Sequence, residues 1–262
     1  MAKVVFITGG ARGIGADAGR RLAGRGDRVA LVDRNPLVER TAAEIGALGI
    51  VADVTDPDAI GEAVATTVSE LGGIDVAVAG AGIVGTAATV QALDPADFEK
   101  VLEVNLLGVW RTLRAALPHV VARRGYLLPI ASIAAAIPSP LLNAYGVSKA
   151  GVEALGRALR IELAHTGTRV GVAYFGVVDT DMVAEATAQA PIARTRTMMP
   201  AIVDRPLPVG AAGAAIVRGI DRRANKVYAP WWVPILLATR GFQGPVEAVL
   251  GRNRVLREAF RS

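Results

Sequence analysis

Short, densely apolar runs alternate with longer stretches in which apolar residues recur at helical spacing, from one end of the chain to the other. The runs at 3–8, 28–32, 49–52, 74–79, 125–131, 169–174 and 226–229 are rich in Val, Ile and Leu and predict seven buried strands. The stretches 14–25, 36–47, 57–71, 95–122, 144–165 and 208–222 predict helices. Two helix starts are signposted: Thr55-Asp-Pro-Asp58 sets a hydroxyl three residues before an acid, and Asp94-Pro95-Ala-Asp97 offers a cap followed by proline. Strict alternation of strand and helix predicts an α/β fold: a doubly wound parallel sheet of about seven strands with helices on both faces. No tandem repeat or low-complexity linker interrupts it, so 1–262 reads as a single domain.

Two segments escape the alternation. Residues 181–206 carry Arg194, Thr195, Arg196, Thr197, Met198, Met199 and three prolines, and read as a mobile flap over a site. Residues 230–262 begin Pro230-Trp231-Trp232-Val-Pro234 and end in a basic helix-like stretch, Val246 to Phe260. From 231 onward the tail holds five Arg and two Glu, so tryptophans beside net positive charge could touch a membrane surface. Packing on its own domain or on a neighbouring subunit is the favoured alternative.

Composition narrows the picture. Hydrophobic residues make up 52% of the chain and aromatics only 5%, so a large core must be filled by aliphatic side chains. Absence of cysteine excludes disulfides and thiolate metal sites and fits a reducing, cytoplasmic setting. The +5 charge comes from arginines scattered over helices, such as Arg20, Arg21, Arg111, Arg114, Arg157 and Arg160. Without an aromatic-studded basic stripe, nucleic-acid binding is not expected. No apolar run reaches the roughly 18 residues of a spanning helix, and the first strand begins too early for a signal peptide. His119 and His165 fall near predicted helix ends and read as surface groups, so no metal site is expected.

The chemistry concentrates in two places. Thr8-Gly9-Gly10-Ala11-Arg12-Gly13-Ile14-Gly15 directly follows the first strand and opens the first helix. Its glycines allow a tight turn and bring backbone N–H groups and a helix N-terminus up to a pyrophosphate. Asp33 ends the second strand eighteen residues after Gly15, near the spacing at which a carboxylate receives ribose hydroxyls. Farther on, Tyr145-Gly-Val-Ser-Lys149 places a phenol and an ammonium on one helix face, with Ser132 thirteen positions upstream. A nearby positive charge favours phenolate, so this tyrosine is expected to exchange a proton near neutral pH.

Together these residues resemble the short-chain dehydrogenase/reductase family in its compact, single-domain, Rossmann-like branch. The resemblance runs from about residue 3 to 230 and also takes in Asp53-Val54, Asn105, Gly176 and Thr180. It implies that Ser132 hydrogen-bonds the substrate oxygen, Tyr145 is the general acid/base, Lys149 lowers its pKa and holds the nicotinamide ribose, and Asn105 anchors a relay water. It further implies a dinucleotide held by Gly9, Arg12, Gly13, Ile14, Gly15, Asp33, Arg34, Asp53, Val54, Gly80, Ala81, Gly176, Val178 and Thr180, besides Tyr145 and Lys149. The chain departs from the family pattern at Ala79-Gly80-Ala81-Gly82 (usually Asn-Asn-Ala-Gly), at Pro129-Ile130-Ala131-Ser132 (usually Asn-x-Ser-Ser) and at Phe175-Gly176 (usually Pro-Gly). A proline lacks the ladder N–H, so Pro129 is awkward in a central strand.

The expected function is an NAD(P)-dependent oxidoreductase interconverting a hydrophobic secondary alcohol and its ketone. Ile133-Ala-Ala-Ala-Ile-Pro-Ser-Pro-Leu141-Leu142, Phe175 and Met198-Met199 are expected to form its apolar pocket, with Arg194 and Arg196 as counter-signals for an acidic substrate. NAD is expected over NADP because Asp33 would repel a 2′-phosphate, although Arg12 or Arg34 could receive one. A homodimer or homotetramer is expected from the broad apolar surface of 95–122. An NAD-binding regulator with little turnover is the alternative; an epimerase or dehydratase would need a larger substrate domain.

Overall fold

The computed structural model describes residues 2–196 and 201–242, with isolated positions 244, 248 and 252 beyond them. Strand β1 (Val4–Thr8) is followed by α1 (Gly13–Ala23), β2 (Arg28–Asp33), α2 (Leu37–Ala43), β3 (Leu48–Val51), α3 (Pro57–Leu71) and β4 (Val76–Ala79). Then come α4 (Pro95–Leu102), a π-helical turn (Glu103–Leu107), α5 (Gly108–Ala122), β5 (Tyr126–Pro129) and α6 (Asn143–Glu162). Strands β6 (Arg169–Val170) and β7 (Val172–Phe175) lead to α7 (Asp181–Ala188), α8 (Ala190–Arg196), α9 (Ala201–Asp204), α10 (Val209–Arg222), β8 (Lys226–Ala229) and α11 (Val233–Thr239).

The parallel sheet runs β3-β2-β1-β4-β5-β6, and β7 pairs with β8 beside it. Because β1 is flanked by β2 on one side and β4 on the other, chain progression reverses between β1 and β4, which opens a crevice at their carboxyl ends. Two apolar layers sandwich the sheet. Phe6, Ala30 and Val32 face one layer with Ile60, Leu113 and Val152; Val5, Ile7 and Leu31 face the other with Leu22, Ala212 and Ile216. The near-continuous apolar runs are thus explained by burial on both faces.

The strand expected at 169–174 is corrected to two short strands broken at Gly171. The cause lies on the neighbouring strand. Gly171 N donates to Leu127 O and Ala131 N donates to Ala173 O, so the alternation calls on residue 129 to donate between them, and Pro129 has no N–H. A Cβ at Gly171 would also collide with the Tyr126 hydroxyl, which donates to Ala224 O at 2.7 Å. The pairing resumes at the Ile130–Ala173 bridge.

Helix 95–122 is continuous but loosened at its middle by the π turn, where Gly108 N reaches back to Glu103 O. Asp94 caps α4 as expected, accepting from Ala96 N at 2.9 Å. The cap of α3 is Asp56, not Thr55: its carboxylate accepts from Asp58 N and Ala59 N at 2.9 and 3.1 Å, while Thr55 turns to Asp53. The segment 181–206 is mostly helical, in three short pieces; Thr197, Met198 and Met199 lie outside the described residues. The tail packs on its own chain as far as 240: Trp232 and Leu236 lie against the core, whereas Trp231 is exposed. The basic stretch Val246 to Phe260 falls almost wholly outside the described residues. No helix among the described residues is long and apolar enough to cross a membrane.

Candidate active site

A cleft of about 430 Å³ opens at the carboxyl ends of β1, β2, β4, β5 and β7. Its floor is backbone. Gly9 sits at φ +77°, and a Cβ there would lie 2.8 Å from Gly80 O and 2.9 Å from Ala81 N. Gly13 takes φ +63°, and a Cβ on Gly15 would run into Gly9 O. Only glycine lets these three segments approach so closely. Helix α1 starts there without a side-chain cap and with no acid in its first turn, so the first N–H groups beside Gly13, Ile14 and Gly15 face the cleft without a carboxylate to satisfy them. That donor set fits a pyrophosphate.

Asp33 stands at the end of β2 on the rim. Its carboxylate accepts from Ala11 N at 3.2 Å and Asn35 N at 3.0 Å, which orients it while leaving lone pairs for ribose hydroxyls. Arg34 points toward Asp53, Nη1 to Oδ2 4.0 Å. Asp53 also accepts from Thr55 N and Oγ1, both at 2.9 Å, and with Val54 lines the crevice. Arg12 reaches across the mouth to α7, with Nη1 2.8 Å from Asp181 Oδ2 and Nη2 3.7 Å from Glu185 Oε1. Nothing in the sequence marks these two acids, because only the fold brings α7 over the glycine loop.

The other wall carries side-chain chemistry. Ser132 follows β5, and Tyr145 and Lys149 share a face of α6; all three line the cleft beside Gly176, Val178 and Thr180. The Ser132 hydroxyl stands near enough to the Tyr145 phenol to favour its ionised form, and Ser132 Oγ accepts from Ala134 N at 3.2 Å. Lys149 is buried, donates to Ile130 O at 3.0 Å and stands 5.6 Å from the centre of the Tyr145 ring.

The expected lowering of the tyrosine's pKa is not what this geometry produces. Tyr145 is half-buried, and desolvation pushes the pKa of its phenol up, with the neighbouring Ser132 hydroxyl opposing. Burial also brings Lys149 down from 10.5 to about 8. The protein alone therefore holds a protonated phenol beside an ammonium that loses its proton easily.

Asn105 stands one layer behind, fully buried in the π turn. Its Oδ1 accepts from Ile83 N at 2.8 Å, and Nδ2 donates to Ile83 O at 2.8 Å and Ser148 Oγ at 3.2 Å. The amide thus clamps the loop after β4 against α6, with both its N–H groups spent on protein. Gly80, in place of the family's asparagine, leaves room for Ile130, whose Cδ1 lies 2.9 Å from where a Cβ would stand. Thr8 Oγ1 ties the spot by accepting from Gly80 N at 3.2 Å.

The run 133–142 does not form the cleft wall. Ile133 and Ala136 turn into the core, and Leu141 joins Ile192, Ala87 and Leu142 in a separate apolar cluster beneath α8. Apolar surface in the cleft comes instead from Ile83, Val104, Ile130, Phe175, Met182 and Val183. Gln189 secures the flap over this site. Its Oε1 accepts from Ala87 N at 2.7 Å and its Nε2 donates to Gly85 O at 3.1 Å. Arg196 is absorbed within the flap, bonding Asp204 Oδ1 at 2.6 Å and Thr187 Oγ1 at 2.7 Å.

Comparison with known proteins agrees with this architecture. The short chain dehydrogenase family model matches residues 3–191. A 2-(R)-hydroxypropyl-CoM dehydrogenase from Xanthobacter autotrophicus is 33% identical over 192 residues, covering 70% of this chain and 77% of its own. A 3-ketoacyl-(acyl-carrier-protein) reductase from Brucella melitensis, solved with NADH, superposes with a TM-score of 0.78 at 28% identity, over 87% of this chain and 96% of its own. An alcohol dehydrogenase from the archaeon Thermococcus sibiricus, solved with 5-hydroxy-NADP, gives 0.75 at 29% identity, over 87% and 96%.

Proposed function

Since this chain belongs to the short-chain dehydrogenase family and is an NAD(P)-linked oxidoreductase acting on CH–OH groups, we propose that it interconverts a hydrophobic secondary alcohol and its ketone, with Tyr145 as general acid/base and NAD as the preferred cofactor. The observation that carries this reading is the convergence of Ser132, Tyr145 and Lys149 on one wall of a cleft whose opposite floor is an uncapped helix N-terminus. The dinucleotide would lie along Gly9–Gly15, with Asp33 and Asp53 toward its adenosine end and Lys149, Gly176, Val178 and Thr180 toward its nicotinamide. When bound there, it supplies or accepts the hydride.

The protein's own residues handle the proton and the orientation. Ser132 Oγ donates to the substrate oxygen and holds it within reach of the phenol. In ketone reduction Tyr145 gives its proton to that oxygen, and burial keeps the proton on the phenol until it is needed. In alcohol oxidation the phenolate takes the hydroxyl proton, and the Lys149 ammonium steadies the negative charge. Asn105 positions rather than reacts, since its clamp on Ile83 and Ser148 sets the gap between the β4 loop and α6. Positioning of the reactants and acid–base catalysis share the work, the latter giving about 10²–10⁴-fold.

The apolar lining by Ile83, Phe175 and Met182 favours a bulky hydrophobic substrate, and the engagement of Arg196 within the flap weakens the case for an acidic one. For the cofactor, Asp33 and a 2′-phosphate about 4 Å apart would repel by about 4 kcal/mol at an effective dielectric near 20. Both candidate arginines already lean on acids, Arg12 on Asp181 and Arg34 on Asp53. We further read 1–262 as one domain working in the cytoplasm as a homodimer or homotetramer. Support for the assembly comes from exposed Leu107, Trp110 and Val147 on the helices around the site.

The test follows NADH formation by purified protein across a panel of secondary alcohols. Bulky hydrophobic alcohols should turn over fastest, with kcat/KM higher for NAD than for NADP. Faster turnover of small polyols or sugar phosphates would overturn the substrate class, and equal or better use of NADP would overturn the cofactor choice. Dinucleotide binding without turnover of any alcohol or ketone would leave a regulator instead.

A further inference from the structure

A second cleft, of about 250 Å³, opens at the opposite edge of the sheet, where α6 turns into β6. Arg160, Arg169, Arg223 and Thr168 line it with Ala164 and Gly167, and no carboxylate does. Two of the guanidinium groups are held in place by backbone. Arg160 Nε donates to Val170 O at 2.8 Å and its Nη2 to Asn225 O at 2.7 Å. Arg223 Nη2 donates to Gly125 O at 2.7 Å and Gly167 O at 3.0 Å. Carbonyls orient these cations without neutralising them, and each keeps N–H groups to spare. The side chain of Arg169 is exposed and makes no hydrogen bond or ion pair among the described residues.

Thr168 supplies the second, independent observation. It is only 3% exposed, yet its hydroxyl has no hydrogen-bond partner. Buried hydroxyls are otherwise satisfied, and this unpartnered one belongs to a residue that lines the same cleft as three unneutralised guanidinium groups. A tetrahedral anion with several oxygens can take N–H groups from more than one arginine and a hydroxyl proton at once. We propose that this cleft binds a phosphoryl group, carried by a soluble phosphate or by an anionic lipid headgroup. It is separate from the dinucleotide crevice, because the two sites lie at opposite ends of the strands.

The experiment uses the full chain saturated with NAD, so that the glycine loop is already filled. Inorganic phosphate is titrated calorimetrically at ionic strength held constant with chloride. Saturable binding is expected, weakened at least tenfold in Arg169→Ala, partly restored in Arg169→Lys and weakened at least threefold in Thr168→Val, with alcohol turnover unchanged in all three. In parallel, flotation is run with phosphatidylglycerol and with phosphatidylcholine vesicles. Retention on the former alone, lost in Arg169→Ala, assigns the phosphoryl group to lipid; phosphate binding without retention assigns it to a soluble ligand. Absence of saturable phosphate binding, or equal binding by the wild type and all three variants, overturns the proposal.

Discussion

The two halves of the sheet build one cleft by different physical means. From β1 to β3 the cleft is mainly backbone: glycines at positive φ and an uncapped helix start, with two oriented carboxylates, Asp33 and Asp53, on its rim. From β4 to β7 it is side chain: Ser132, Tyr145 and Lys149, with Asn105 behind them. The first half is regular, its ladder unbroken. The second carries the irregularities: a π turn, a proline in a strand and a strand split at Gly171. A pyrophosphate is recognised by fixed dipoles, which a regular strand–turn–helix presents at once. A proton-transfer site needs groups taken out of water to set distances, and the backbone there bends to suit them.

The difference can be broken by substitution, and the largest effect belongs to the reacting half. Tyr145→Phe should lower kcat about 10²–10⁴-fold while leaving dinucleotide affinity within about twofold, since the phenol bears on chemistry rather than on the phosphate floor. Stopped-flow turnover alongside fluorescence titration with NADH reads both. An equal loss in both quantities would erase the distinction between the halves.

Lys149 sharpens the comparison through pH. Its pKa falls from 10.5 when unfolded to about 8 in the fold, because burial penalises the charge. Between those values the unfolded chain holds more protons than the native one, so stability contributed by this group rises with pH from 8 toward 10.5. The gain approaches about 3 kcal/mol. Tyr145, raised by burial, acts with the opposite sign only above the ordinary phenol value of 10. Urea unfolding of cofactor-free protein at pH 8, 9 and 10 should therefore show a rise that Lys149→Met abolishes; an unchanged slope in that variant would locate the effect elsewhere.

In the half built by the glycine loop the expected failure is steric. Gly9→Ala forces a Cβ to within 2.8 Å of Gly80 O at φ +77°, costing about 2 kcal/mol of stability. Opening of the turn should raise the NAD dissociation constant at least tenfold, and a variant that binds NAD normally would show that the close approach is dispensable. The smallest effect falls at the tail. Glu153, buried on α6 one turn beyond Lys149, receives Arg240 Nη1 at 2.8 and 2.9 Å. Arg240 is partly exposed, so Arg240→Ala should cost only about 1 kcal/mol, a shift of about 2–4 °C in Tm.

Much of this was legible in the chain because it rests on local rules. Apolar runs bounded by glycines determined the strands, the position of the glycine loop between strand and helix determined the close backbone approach at the cleft floor, and four-residue spacing put Tyr145 and Lys149 on one helical face. These features depend on a few neighbours along the chain, so spacing alone specifies them. Tertiary structure decided the rest. The break at Gly171 needed Pro129 on the adjacent strand; the packing of Leu141 away from the cleft needed Ile192 of α8; and the pairing of Arg12 with Asp181 needed α7 to fold back over α1. The rise in the Tyr145 pKa belongs to the same class, since adjacency to Lys149 is written in the sequence but the exclusion of water is not. Desolvation is a property of everything packed around a group, and it acts on phenol and ammonium together.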